Sequence, residues 1–158
     1  MPQIPLEVHR VSAETELGVL APAYRMYVTA RFLSPHGRRI PYPTFIDIGA
    51  PYSVIPHRLA RQIQWSSAGK QLVIRGKTVS PDWFNIPCEM GQLEIELGHR
   101  GTQFWTRPLH VLAKVAIRRA PRQLEDSAIL GLNFLLDNHV WLEVDGSGQT
   151  LSGLLIVP

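Results

Sequence analysis

An apolar run that ends on an acid, turns at a glycine and resumes as a second apolar run constrains this chain more than any other feature. It reads Pro43-Thr44-Phe45-Ile46-Asp47-Ile48-Gly49-Ala50-Pro51-Tyr52-Ser53-Val54-Ile55-Pro56. Short runs of β-branched and aromatic residues favour strands. A glycine, lacking Cβ, allows a tight turn and the close approach of other groups. The expected local structure is therefore strand, turn, strand, with Asp47 delivered to the turn. A carboxylate at the end of a buried strand is costly unless it is paired or shares a proton, so Asp47 is the first functional candidate.

Much of the remaining chain also reads in a period of two. Residues 24–33 alternate as a strand, Ser34-Pro35-His36-Gly37 turns it, and 38–46 return carrying Asp47. Leu59 and Ile63, four apart, suit a short amphipathic helix over 57–63. Residues 71–75 read as a strand, Gly76-Lys77 as a turn, and 78–84 as a return interrupted at Pro81. The strict alternation of 92–97 places Glu94 and Glu96 together on one solvated face. Residues 104–115 form another strand, with Pro108 marking an edge or bulge, and 117–123 are a polar connection. Near the C-terminus a return strand over 139–145, a glycine turn and a last strand over 150–157 are expected. Residues 1–22, with prolines at 2, 5 and 22, read as an arm plus one strand ahead of a domain spanning 23–158.

Composition excludes several classes. At 158 residues the chain suits one domain with a real core. Its net charge of +3 is spread thinly, with short clusters only at Arg38-Arg39 and Arg118-Arg119, which read as solvated surface rather than a nucleic-acid footprint. The single cysteine, Cys88, rules out an internal disulfide framework, reads as a small buried residue and fits a reducing compartment. No signal-peptide pattern and no membrane-length apolar run is visible, so the expected location is cytoplasmic, without membrane contact. The six histidines show no metal-ligand spacing and no phosphate-cradling glycine loop occurs, so neither metal nor cofactor is expected. His57 follows Ser53 by four residues, but the glycine-flanked elbow of a serine nucleophile is absent.

The segment Asp47-Ile48-Gly49-Ala50, followed by Ser53-Val54-Ile55-Pro56, resembles the active-site loop of the retroviral-type, or retropepsin-like, aspartic proteases. Ile48 stands where that family carries Thr or Ser. A second segment, Ile129-Leu130-Gly131, resembles the family's supporting strand beside that loop, with Asn133-Phe134-Leu135-Leu136 opening the helix that follows. The resemblance implies an all-β fold: a retropepsin-like closed β-barrel with one or two short helices, one lobe per chain. It implies that Asp47 is the catalytic group, that Gly131 lets its strand pass under the Asp47 turn, and that Ile74, Arg75, Gly76 and Lys77 fall where the family has its flap. Ile55, Ile74 and Trp83 are candidate pocket walls.

No second Asp-(Thr or Ser)-Gly occurs, so a two-carboxylate site implies a homodimer with one Asp47 from each copy. In the family the chain ends interleave, which makes the N-terminal strand and the last strand candidates for pairing with the partner. The implied function is hydrolysis of a peptide or protein substrate by a water held between two Asp47 carboxylates. The alternative is a catalytically weak or inactive module of the same fold, acting in peptide binding or assembly. A third reading, a different β-barrel with a coincidental turn, predicts a monomer in which Asp47 lies away from any cleft and Gly131 does not pack beside Gly49.

Overall fold

The structure, a computed structural model, describes residues 1–14, 20–77, 83–115, 128–147 and 151–158. These hold twelve strands and two short helices, an all-β chain as its alternation predicts. In chain order they are β1 (Gln3–Glu14), β2 (Leu20–Leu33), β3 (Arg39–Ile46), β4 (Ser53–Ile55), α1 (His57–Ala60), β5 (Ser66–Lys77) and β6 (Trp83–Leu93). Then follow β7 (Ile95–His99), β8 (Thr102–Trp105), β9 (Leu109–Lys114), β10 (Ala128–Leu130), α2 (Leu132–Asp137), β11 (Trp141–Asp145) and β12 (Ser152–Ile156). Among the described residues no helix is long and apolar enough to cross a membrane.

The hydrogen-bonded order is β11-β12-β1-β2-β3-β10-β4-β9-β6-β5, with β7 attached to β2 and β8 to β7. β1 serves two layers: Gln3 to Leu6 pair with β12, and Glu7 to Glu14 pair with β2. The ends of the path, β11 and β5, thus belong to different layers and are not paired with each other among the described residues. Among the described residues the expected closed barrel is therefore not closed by hydrogen bonds. The sheet instead folds round a core drawn from most strands, including Ile4, Phe32, Ile46, Ile55, Leu97 and Leu130. The division expected after residue 22 falls inside β2.

The centre of the sheet positions the Asp47 turn. β10 lies parallel to β3, with Leu130 opposite Ile46, and antiparallel to β4, with Ile129 opposite Val54. β4 in turn lies parallel to β9, with Val54 opposite Leu112. All three residues of β4 are buried, because strands covered on both faces lose their polar alternation. Ile55 faces the main core and so is not the pocket wall it was expected to be. Its neighbour Val54 points the other way, into a second apolar cluster with Ile86, Cys88 and Leu112, against which Ile74, Met90 and Ile129 pack.

Cys88 sits fully buried in that cluster. Burial pushes its thiol up to about 11, with a smaller opposing pull from Lys114. The unfolded thiol, near 9.0, ionises first as pH rises. The contribution of the neutral thiol to stability is therefore complete below that value and lost as pH climbs through the folded value. We expect Cys88 to resist a thiol-specific reagent at mildly alkaline pH until the chain is unfolded, as read by the rate of modification with and without denaturant.

Several local expectations are corrected. Glu96 does not share a solvated face with Glu94: it is 2% exposed. The ladder breaks at Glu94, between the end of β6 and the start of β7, so the alternation restarts and buries Ile95, Glu96 and Leu97 in succession. The Glu96 carboxylate is held by Gln103, whose Nε2 donates at 2.6 Å, and by the guanidinium groups of Arg31 and Arg39 at 3.4 and 3.0 Å. Arg39 approaches at an angle that makes an ion pair rather than a hydrogen bond, and it also covers the Trp105 ring. The strand expected over 104–115 is divided into β8 and β9, since Pro108 cannot donate to a ladder. The helix expected over 57–63 is a single turn, and that expected from Asn133 starts one residue earlier, at Leu132. Arg118-Arg119 and the polar connection over 117–123 lie outside the described residues.

Candidate active site

Asp47 follows the last residue of β3, and its backbone is clamped from below. Its N–H donates to the Leu130 carbonyl at 3.0 Å, and its own carbonyl accepts from Ala50 N–H at 3.2 Å. The side chain closes a small turn of its own, with Gly49 N–H donating to Oδ1 at 2.9 Å. Oδ2 is left without a bond to any described residue. A Cβ on Gly49 would lie 3.2 Å from Oδ1, so a side chain there would press on the carboxylate. Asp47 is half-buried, while Ile48 beside it is 62% exposed.

Gly131, between β10 and α2, lies directly against the loop. A Cβ on it would meet the Tyr52 carbonyl oxygen at 2.5 Å and that of Ala50 at 2.6 Å, both rigid backbone atoms. Its φ of −84° is ordinary, so space rather than backbone conformation demands glycine here. The next two residues stitch the contact: Leu132 N–H donates to Ala50 O at 2.7 Å and Asn133 N–H to Pro51 O at 3.2 Å. Gly131 thus packs against Ala50 and Tyr52, residues that follow Gly49 in the loop.

One polar network was missed by sequence reasoning. Asn133 Oδ1 accepts from both Ser53 N–H at 2.8 Å and Ser53 Oγ–H at 3.0 Å. Ser53 Oγ accepts from Gly131 N–H at 3.1 Å, and Asn133 Nδ2 donates to the His110 carbonyl of β9 at 2.8 Å. Asn133 and Ser53 stand 80 residues apart in the chain, so no local pattern could join them. The only signal is an amide side chain two places after the close-approach glycine. Ser53 is 1% exposed, its hydroxyl committed to this network, which removes it as a nucleophile for His57. Asn133→Ala leaves two buried Ser53 donors without an acceptor and is expected to cost about 2–4 kcal/mol. Denaturant unfolding and faster hydrogen exchange at the Ser53 amide check this.

Of the remaining candidates, Leu130 is buried in the main core and Ile129 packs on the second cluster. Ile74 packs on the same cluster from the β5–β6 hairpin. Gly76 and Lys77 are not the expected turn, because the ladder continues through Gly76 opposite Phe84 and Lys77 opposite Trp83. A lone glycine does not end a hairpin whose flanking pairs carry the register. Arg75 lies in the same strand, and the connecting residues 78–82 are outside the described set. Among the described residues no group of three or more metal-ligating side chains gathers.

Fold and site together define an all-β chain that presents one carboxylate on a glycine turn at the end of a strand, braced by a second glycine that follows the neighbouring strand. No family model and no curated protein matches it. Among solved structures it is similar to the crystal structure of a retropepsin-like aspartic protease from Rickettsia conorii, at 16% identity and a TM-score of 0.44, over 98% of this chain and 97% of that one. A likeness at that distance says nothing of activity.

Proposed function

We propose that the chain is a retropepsin-like aspartic endopeptidase, acting as a homodimer on a peptide or protein substrate. The observation that carries this reading is the clamped Asp47 turn: a carboxylate with one oxygen fixed by Gly49 N–H, on a loop supported from beneath by Gly131. Two such carboxylates about 3 Å apart cannot both ionise easily, so they share one proton and titrate as a pair. The ionised member takes a proton from a water lying between them as that water attacks the peptide carbonyl carbon. The protonated member gives its proton to the carbonyl oxygen. Collapse of the gem-diol intermediate then breaks the C–N bond as the amine leaves with a proton from the pair, while the ionised member takes a hydroxyl proton from the diol, restoring the shared proton. The buried cluster of Val54, Ile86, Cys88 and Leu112, on which Ile74, Met90 and Ile129 pack, ties the β5–β6 hairpin to the strand that follows the Asp47 turn.

One observation favours the alternative, a weak or inactive module that binds peptide or serves assembly. Ile48 is exposed and offers no hydroxyl to lock two loops together. The two readings separate when wild type is mixed with an excess of Asp47→Asn. A dimeric peptidase loses activity as the square of the wild-type fraction, since mixed dimers hold a single carboxylate. A linear loss contradicts the shared site, and absence of cleavage in unmixed wild type favours the binding module.

A further inference from the structure

We infer that Arg25, held over the Phe45 ring beside Asp47, selects peptides that carry an acidic side chain close to the bond to be cut. The inference rests on the reading of Asp47 as the reacting group and goes on to name the class of substrate that this group acts on.

β1, β2 and β3 carry a row of rings on the face turned away from the core. Alternation sends Met26, Val28 and Ile46 inward and leaves Arg25, Tyr27 and Phe45 on the outer face. Tyr27 is opposite Phe45 in the ladder, and the two rings meet edge to face with centroids 6.0 Å apart. His9 of β1, opposite Arg25, stands edge-on to Tyr27 at 5.3 Å. Arg25 completes the set, its Cζ 5.3 Å from the centre of the Phe45 ring. Further from Asp47, the same row borders a cavity of about 410 Å³ lined by Glu7, His9, Arg10, Tyr27, Thr29 and Pro43, so it faces open space that a peptide side chain can enter.

Arg25 stands next to the reacting group. Met26 and Ile46 are the last pair at that end of the β2–β3 ladder, and Arg25 and Asp47 are the residues next beyond it on the two chains. Paired strands lie about 4.8 Å apart and an extended peptide advances about 3.3 Å per residue, so a side chain reached by Arg25 belongs about one to three residues from the bond at Asp47. Among the described residues no carboxylate forms an ion pair with Arg25. Glu7, on the same face, is paired with His9 at 3.4 Å instead. A guanidinium stacked by its face on a ring keeps its N–H edge open, and that planar fork matches a carboxylate. The stack also settles in advance a long side chain that would otherwise lose its freedom on binding. An acidic side chain of the substrate is the partner whose charge completes the site, whereas an apolar or basic one leaves the cation unpaired.

The test measures binding apart from cleavage. In the Asp47→Asn background, octapeptides with a central Leu-Phe bond and a single Glu, Gln or Lys at each outer position in turn are titrated at about pH 6, where a free glutamate side chain is ionised. Binding is read by the anisotropy of an uncharged dye. At one position or two adjacent ones the Glu peptide should bind more than about fivefold tighter than the Gln peptide, beyond what an exposed ion pair supplies. Arg25→Gln should bring the two peptides together, and Arg25→Glu should make the Lys peptide the tightest. Phe45→Leu, which keeps the arginine but removes the ring that positions it, should shrink the preference. Denaturant midpoints of the three variants establish that they are folded. No binding by any peptide, a preference below that limit at every position, or one that persists in Arg25→Gln or is unchanged in Phe45→Leu overturns the assignment. Peptides bound with the acidic preference but left uncut by wild type remove the peptidase reading and leave the site standing, and cleavage by wild type without that preference does the reverse.

Discussion

Asp47→Asn lowers peptide cleavage by at least about 10²–10⁴-fold, the usual contribution of a positioned acid or base, while the fold is kept. The effect on the reaction is large because an amide can neither accept the proton of the attacking water nor donate one to the carbonyl oxygen. The effect on the fold is small because the bond that shapes the turn survives. The asparagine carbonyl oxygen can take the place of Oδ1 as acceptor for Gly49 N–H, and the backbone bonds to Leu130 and Ala50 do not involve the side chain. Unfolding should therefore shift by no more than about 0.5 kcal/mol, as for a surface change away from the core. Parallel measurement of cleavage and denaturant midpoint separates this from a merely structural loss.

Gly131→Ala should cost more stability than any other single-methyl addition considered, about 3 kcal/mol or more. The added carbon would stand 2.5–2.6 Å from two backbone carbonyl oxygens, of Tyr52 and Ala50, neither of which can swing aside as a side chain would. Relief requires moving the 50–53 loop away from β10. That movement strains the Leu132-to-Ala50 and Asn133-to-Pro51 bonds and the Ser53 network, and carries the Asp47 turn with it. A displacement of about 1 Å at a reacting group can cost on the order of a hundredfold in rate, so activity should fall even at temperatures where the variant stays folded. Gly146→Ala, where an added Cβ meets nothing within 4 Å, is the matched control and should be near neutral. Thermal unfolding and cleavage of the two variants side by side make the comparison.

The parts legible in the sequence are those written in a few consecutive residues. The strand into Asp47 and the turn after it follow from an apolar run, an acid and a glycine within five positions. The need for glycine at 131 is a matter of space against a neighbouring loop, and the residue type alone advertises it. What could not be read depends on partners distant in the chain or on where a ladder stops. The alternation of 92–97 is continuous in the sequence and places Glu96 on a solvated face, while the strand breaks at Glu94 and turns the carboxylate inward to Arg31 and Arg39. Asn133 and Ser53 find each other only after β10 is inserted between β3 and β4. Gly76 alone predicts a hairpin turn that the cross-strand pairs beyond it outweigh. The pairing of the chain ends with each other has no local code at all, because either end has the same strand pattern whether its partner is its own chain or another.

The most direct test of the central claim is digestion of an unfolded protein mixture from about pH 4 to about pH 7, the range in which a carboxylate pair sharing one proton is active. Wild type and Asp47→Asn are compared and the fragments read by mass spectrometry. The account predicts new termini beside apolar residues, most abundant at the acid end, with wild type only. Equal fragments from both proteins, or none from a wild-type sample that sediments as a dimer, would contradict it.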